Sequence, residues 1–154
     1  MGHEREWLDM RGEVNAFQQS FLDYAVNSGV AALMLLAAVT LYVLLTPWKE
    51  FALVRDKNTS AGIALSGAVI GLSIPIAAAL ATSMSLYDVV IWGVVALLLQ
   101  LIVYRVVDLL LGDIPKRIQG DEIGAAVLLV GAKLATAFIL AAGLWDPSLH
   151  KFVG

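Results

Sequence analysis

The sequence contains no cysteine. That excludes disulfides, thiolate-held metal and a cysteine nucleophile. Histidine is nearly as scarce: His3 and His150 both lie outside every long apolar run, so no pair of histidines can hold a haem among apolar helices. Charged residues make up 15% of the chain, where a soluble domain carries about 25%. They sum to a net charge of −3, so no basic face suggests nucleic acid as a partner. There is no Ser-His-Asp set, no His-Glu-x-x-His, no Walker loop and no close cluster of metal ligands. The reading is of a protein that is not an enzyme and carries no cofactor. The first twenty residues are polar and acidic, unlike a signal peptide.

Apolar surface is abundant: 60% of the residues are hydrophobic, and mean hydropathy is +0.83. It is concentrated in four blocks, 22–46, 61–82, 86–111 and 123–145. Each block is long enough to cross a bilayer, which takes about 20 apolar residues. The expected fold is an all-α integral membrane protein with four transmembrane helices, leaving no room for a second globular domain. The bilayer is then the first partner of the chain.

The stretch 58–80 has an echo 64 residues later. Ala61 falls on Ala125, Leu65 on Leu129, Gly67 on Gly131 and Ala77-Ala78 on Ala141-Ala142. The preceding block follows the same offset, with Leu22 on Leu86, Gly29 on Gly93 and Val39 on Val103. The expected unit is a helical hairpin, at 22–82 and again at 86–145. Because a hairpin returns the chain to its starting side, the two units form a parallel repeat about an axis along the membrane normal. Residues 1–21 and 146–154 flank them.

In 1–21, Trp7, Met10, Val14, Phe17 and Phe21 follow 3-4-3-4 spacing, one apolar stripe on an amphipathic helix. Its acidic character favours protein over lipid as the partner, because lipid-binding surface helices are usually basic. The first span should stop at Thr46-Pro47, and a short surface helix should follow around Phe51–Val54. Asn58 and Thr59 are suited to cap the second span. Asp121-Glu122 opens the fourth, where a carboxylate complements the helix dipole. Gly67 and Gly71, in G-x-x-x-G spacing, should admit a close neighbour, with Gly131 as the counterpart. Pro75 frees a carbonyl and reads either as a kink in a packing groove or as a hinge. Arg105 and Asp108, three apart, should pair.

Lys133 lies eleven residues from Glu122 and twelve from Trp145, about 16 Å from either end of its span. A charged lysine at that depth costs at least about 2.5–3.5 kcal/mol and must find a carboxylate, carbonyls or water. Gln100, Ser66, Ser73 and Thr136 lie at similar depth. Asp23, Asp88, Asp108 and Glu122 all lie near span ends. Lys133 therefore either makes a structural polar contact, reaching an acid near an end, or faces an internal or intersubunit cavity.

Lys49, Arg55, Lys57, Arg105, Lys116 and Arg117 fall on one side of the membrane, and Arg5, Arg11 and Lys151 on the other. The positive-inside bias puts loops 46–60 and 112–121 in the cytoplasm and both termini outside. Lys57-Asn-Thr-Ser-Ala-Gly-Ile-Ala-Leu-Ser-Gly67, Ile74-Pro75, Trp92-Gly93 with Gln100, and the weaker copy from Asp121 to Gly131 resemble a bacterial inner-membrane family, the YjfL/YshE-like proteins (domain-of-unknown-function family 350). The likeness spans about 20–145. It implies four spans and duplicated hairpins, location in the bacterial inner membrane, and association with envelope-stress or polyamine-related genes. It implies no reaction. The acidic Asp121-Glu122 start of the second copy and the N-terminal amphipathic segment depart from the family pattern. Two functions follow as expectations: an oligomeric permeation or transport protein for small ions or solutes, or a non-catalytic anchor recruiting a soluble cytoplasmic partner.

Overall fold

The computed structural model describes residues 2–47, 49–82 and 85–145, with few side chains before residue 20. Expectations for Arg5, Trp7, Met10, Arg11, His150 and Lys151 fall outside the described side chains. Six helices follow in order: α1 Gly2–Leu45, α2 Glu50–Arg55, α3 Thr59–Ala81, α4 Leu86–Leu111, α5 Ile114–Gln119 and α6 Ile123–Leu144. Four contain stretches long and apolar enough to span: Ser20–Leu45, Thr59–Ala81, Tyr87–Leu111 and Ile123–Leu144. The chain is an all-α integral membrane protein, and its outward Leu33, Leu36, Leu109, Leu110 and Ile139 face lipid.

The N-terminal segment and first span are one helix of 44 residues, about 66 Å long. Nothing between Phe17 and Leu22 breaks it, since Pro is absent and no glycine intervenes. Residues 2–19 therefore run about 27 Å beyond the span. Val14 and Phe17 stay exposed there, and the Phe17 ring stacks at 6.2 Å on that of the exposed Phe21 at the start of the span.

α3 is the central helix. Half of its spanning window is buried, against 17% for α1, and it touches all five other helices. Its small residues make this possible: Ala61, Ala64, Ala68 and Gly71 let neighbouring backbones close in. Gly67 is packed so tightly that an added Cβ would collide with the Val130 side chain on α6. The counterpart Gly131 instead points away from the bundle, with nothing within 4 Å of an added Cβ. Gly67 thus packs closely against α6, whereas Gly131 lies on the outward face of α6. α3 runs unbroken through Pro75, which is buried.

Short helices close one end of the bundle. α2 and α5 are both six residues long, and their bounds differ by 64 at each end. Each leads to a left-handed residue, Lys57 at φ 63° and Asp121 at φ 58°, before the next long helix. Asn58 caps α3 by accepting from the Ala61 N–H at 2.7 Å, and donates to the Ile118 carbonyl at 2.9 Å. Asp121 caps α3, not its own helix, accepting from the Ser60 N–H at 2.7 Å. Glu122 occupies the N-cap position of α6 with no side-chain cap bond, and its carboxylate takes Arg117 at 3.1 Å. Thr59 is the first residue of α3. These bonds set the starts of α3 and α6 side by side, so the two helices run parallel. Asp108, expected to pair with Arg105, accepts from the Ile114 N–H at 2.8 Å and so ties α4 to α5. Arg105 lies over the Tyr104 ring, 5.5 Å from its centroid.

Replacing Gly67 by Ala should lower unfolding stability in detergent by about 1–3 kcal/mol, because Val130 is stiff about χ1 and cannot swing clear. Gly131→Ala should leave the midpoint unchanged or slightly raised. Equal losses for the two variants would contradict the packing described for α3.

Candidate functional site

Lys133 sits at the middle of α6 with none of its surface exposed. Side chains on a helix lean toward its N-terminus, so the long lysine stem carries the ammonium toward the end where α6 begins. There the ammonium donates to the Tyr42 hydroxyl and lies 4.2 Å from the Tyr42 ring centroid. Tyr42, also fully buried, is three residues from the end of α1. The helix then stops: Thr46 bonds the Val43 carbonyl at 3.1 Å, and Pro47 turns the chain back.

That turn delivers the acid. Glu50 opens α2 and has no exposed surface, and its charge acts on both Lys133 and Tyr42. Gln100 of α4 completes the cluster, donating from Nε2 to the backbone carbonyl of Lys133 at 3.2 Å. An added Cβ on Gly71 would sit 2.7 Å from that Nε2, so the glycine makes the space Gln100 occupies. The Oε1 of Gln100 is buried with no hydrogen-bond partner among the described residues. Four helices thus meet at one charged cluster, and α3 supplies its glycine floor.

The cluster gathers Lys133 and Gln100 but not the other polar residues at similar depth. Ser66 is exposed and donates to the Gly62 carbonyl at 2.8 Å. Ser73 donates to Ile70 at 2.9 Å, and Thr136 to Ala132 at 3.0 Å. All three satisfy themselves on their own helices. Tyr42 and Glu50 are the members that sequence reading misses. Tyr42 reads as a boundary aromatic, and Glu50 reads as part of a polar loop beside Lys49. The available signal was weak: Glu50 and Leu53, three apart on a short helix, share the face turned to the core.

Beside the cluster, Val43, Leu44, Thr46, Pro47, Lys49, Glu50, Phe51 and Ala52 line an open cleft of about 320 Å³. Glu50 therefore stands between Lys133 and a cleft that opens where α1 turns into α2. Among the described residues no group of acids and histidines is placed to hold a metal ion.

Fold and site define a four-span integral membrane protein with, among the described residues, one charged cluster in its interior. The family profile of the Domain of Unknown Function 350 matches residues 16–144, and the chain belongs to that family. It is 29% identical over 123 residues to the UPF0719 inner membrane protein YjfL of Escherichia coli K12, covering 80% of this chain and 93% of that one. It is 22% identical over 130 residues to the UPF0719 transmembrane protein YshE of Bacillus subtilis, covering 83% and 97%. No solved structure matches.

Gln100→Leu should cost about 1–3 kcal/mol of unfolding stability, since it leaves the Lys133 carbonyl without its buried donor. Thr136→Val should cost no more than about 0.5 kcal/mol, the usual range for a site away from any buried network. A Thr136 loss as large as that at Gln100 would contradict the assignment of the cluster.

Proposed function

We propose that the protein is a multi-pass bacterial inner-membrane permeation or transport protein for small ions or solutes, and that the Lys133 cluster is its ion-handling site. One observation carries this reading: a fully buried lysine at mid-span, met by a tyrosine, an acid and an amide from three other helices. Ionisable groups at membrane depth are expensive to insert and mark ion or substrate paths and proton relays. The location accords with the inner-membrane relatives. The end of the bundle that holds α2 and α5 carries six of the ten Lys and Arg, Arg105 included, against three toward the other end, which favours the cytoplasm for that end and the outer face for both termini.

Four helices with so few polar groups at membrane depth rarely enclose a conduit alone, so we place the working form in a homo-oligomer of two-hairpin repeats. The matched bounds of α2 and α5 support the duplication. A second reading, a membrane anchor with a soluble partner, draws on a different observation. The α1 extension and the start of its span present Val14, Phe17 and Phe21 to the surroundings with no described cover. On this reading the extension is a seam for another protein.

Purified protein in liposomes should dissipate an imposed cation or proton gradient faster than empty vesicles, and Lys133→Leu should abolish the difference. Flux equal to that of empty vesicles would remove the transport reading and leave the anchor. The absence of native cysteine makes orientation directly readable. A membrane-impermeant maleimide added outside spheroplasts should label Val14→Cys and spare Lys57→Cys, and the reverse pattern would invert the topology.

A further inference from the structure

α2 and α5 occupy matched places in the two halves, yet their first residues differ. Glu50 opens α2 and Ile114 opens α5, and both are completely buried. The same short helix thus closes against the bundle with an apolar side chain at that position. Docking of the short helix does not by itself require an acid there, and burying an ion pair is often no better for stability than burying apolar groups. α5 is also tied down by Asp108 on the Ile114 N–H and by Asn58 on the Ile118 carbonyl. The residue matching Asp108 ahead of α2 is Leu44, which offers no such bond.

What Glu50 and Tyr42 build is a receptor for one positive charge. A phenol oxygen and an aromatic face contact a single ammonium, and the buried Glu50 carboxylate acts on it by its charge, the set of groups that recognises compact cations. We propose that Tyr42 and Glu50 form a binding site for a small monovalent cation, and that the Lys133 ammonium is a tethered occupant which such a cation displaces. The proposal rests on the ion-handling reading and names its ligand class. Charge selects the class: with the displaced amine turned out to the cleft, one carboxylate balances one positive charge, whereas a divalent ion would leave a net charge buried. The cleft walled by Glu50 gives the entry route. The buried Oε1 of Gln100, with no described partner, is an acceptor within the same cluster.

The test vacates the tethered occupant. Purified Lys133→Ala should melt higher in potassium, ammonium or methylammonium chloride than in tetramethylammonium chloride at equal ionic strength, by about 3 °C or more at saturating salt. The wild type should show the same preference more weakly, because the tethered amine competes, and the Lys133→Ala/Glu50→Gln double variant should show none. A Lys133→Ala variant indifferent to the cation, or one whose preference survives Glu50→Gln, overturns the proposal. Should Lys133→Ala fail to fold, acylation of Lys133 in the wild type decides, read by mass spectrometry of its peptide. Labelling should rise severalfold in methylammonium over tetramethylammonium if the tethered amine is displaced, and equal labelling in both salts overturns the proposal. A cation preference without flux in liposomes would leave the binding site standing and remove transport. Flux without a cation preference would do the opposite.

Discussion

The bond of the Lys133 ammonium to Tyr42, under the charge of the buried Glu50, is the constraint on which the rest of the arrangement depends. A charge near the centre of a spanning helix has no solvent of its own. The polypeptide must bring a counter-charge to it or lose its stability. Here the counter-charge arrives from outside the spans, on a six-residue helix folded back under the bundle. The break in α1 at Thr46-Pro47, the burial of Tyr42 and the place of α2 all serve that delivery. They also bring the open cleft up against the site.

α3 provides the second condition. Its alanines and glycines let α1, α4 and α6 approach closely enough for their polar side chains to meet across it. Gly71 is the clearest case, since any side chain there would occupy the place of the Gln100 amide. Three apolar layers run along the bundle. One gathers Ala61, Tyr104, Ile118 and Leu129, a middle one Ala38, Tyr42, Leu72 and Ala96, and a third Ile76, Val89 and Leu144. The charged cluster adjoins the middle layer through Tyr42. In lipid, packing of small residues does the work that the hydrophobic effect does in water.

Much of this was legible in the residues. Four apolar blocks gave four spans, because length and composition decide that in a bilayer. Lys133 stood out because a lone ammonium at mid-span demands an explanation. The helix starts were readable from Asn58, although Asp121 reaches across to α3, which no local pattern reveals. Glu50 was not legible. Between Lys49 and Phe51 it resembles an ordinary loop acid, and its burial is a tertiary fact created by the turn at Pro47. Gly131 shows the complementary limit: a sequence match to Gly67 does not bring the same neighbours, since Gly67 faces α6 and Gly131 faces outward.

The central claim is that Glu50 and Lys133 are coupled inside the bundle. A double-mutant cycle in a mild detergent measures this directly, with Glu50→Gln, Lys133→Met and the pair compared by unfolding free energy. Each single change should cost about 3–5 kcal/mol, since each leaves a partner buried and uncompensated. The double variant should lose at least about 1 kcal/mol less than the sum of the two. Losses that add to within about 0.5 kcal/mol would show that the two residues act independently, and would contradict the account.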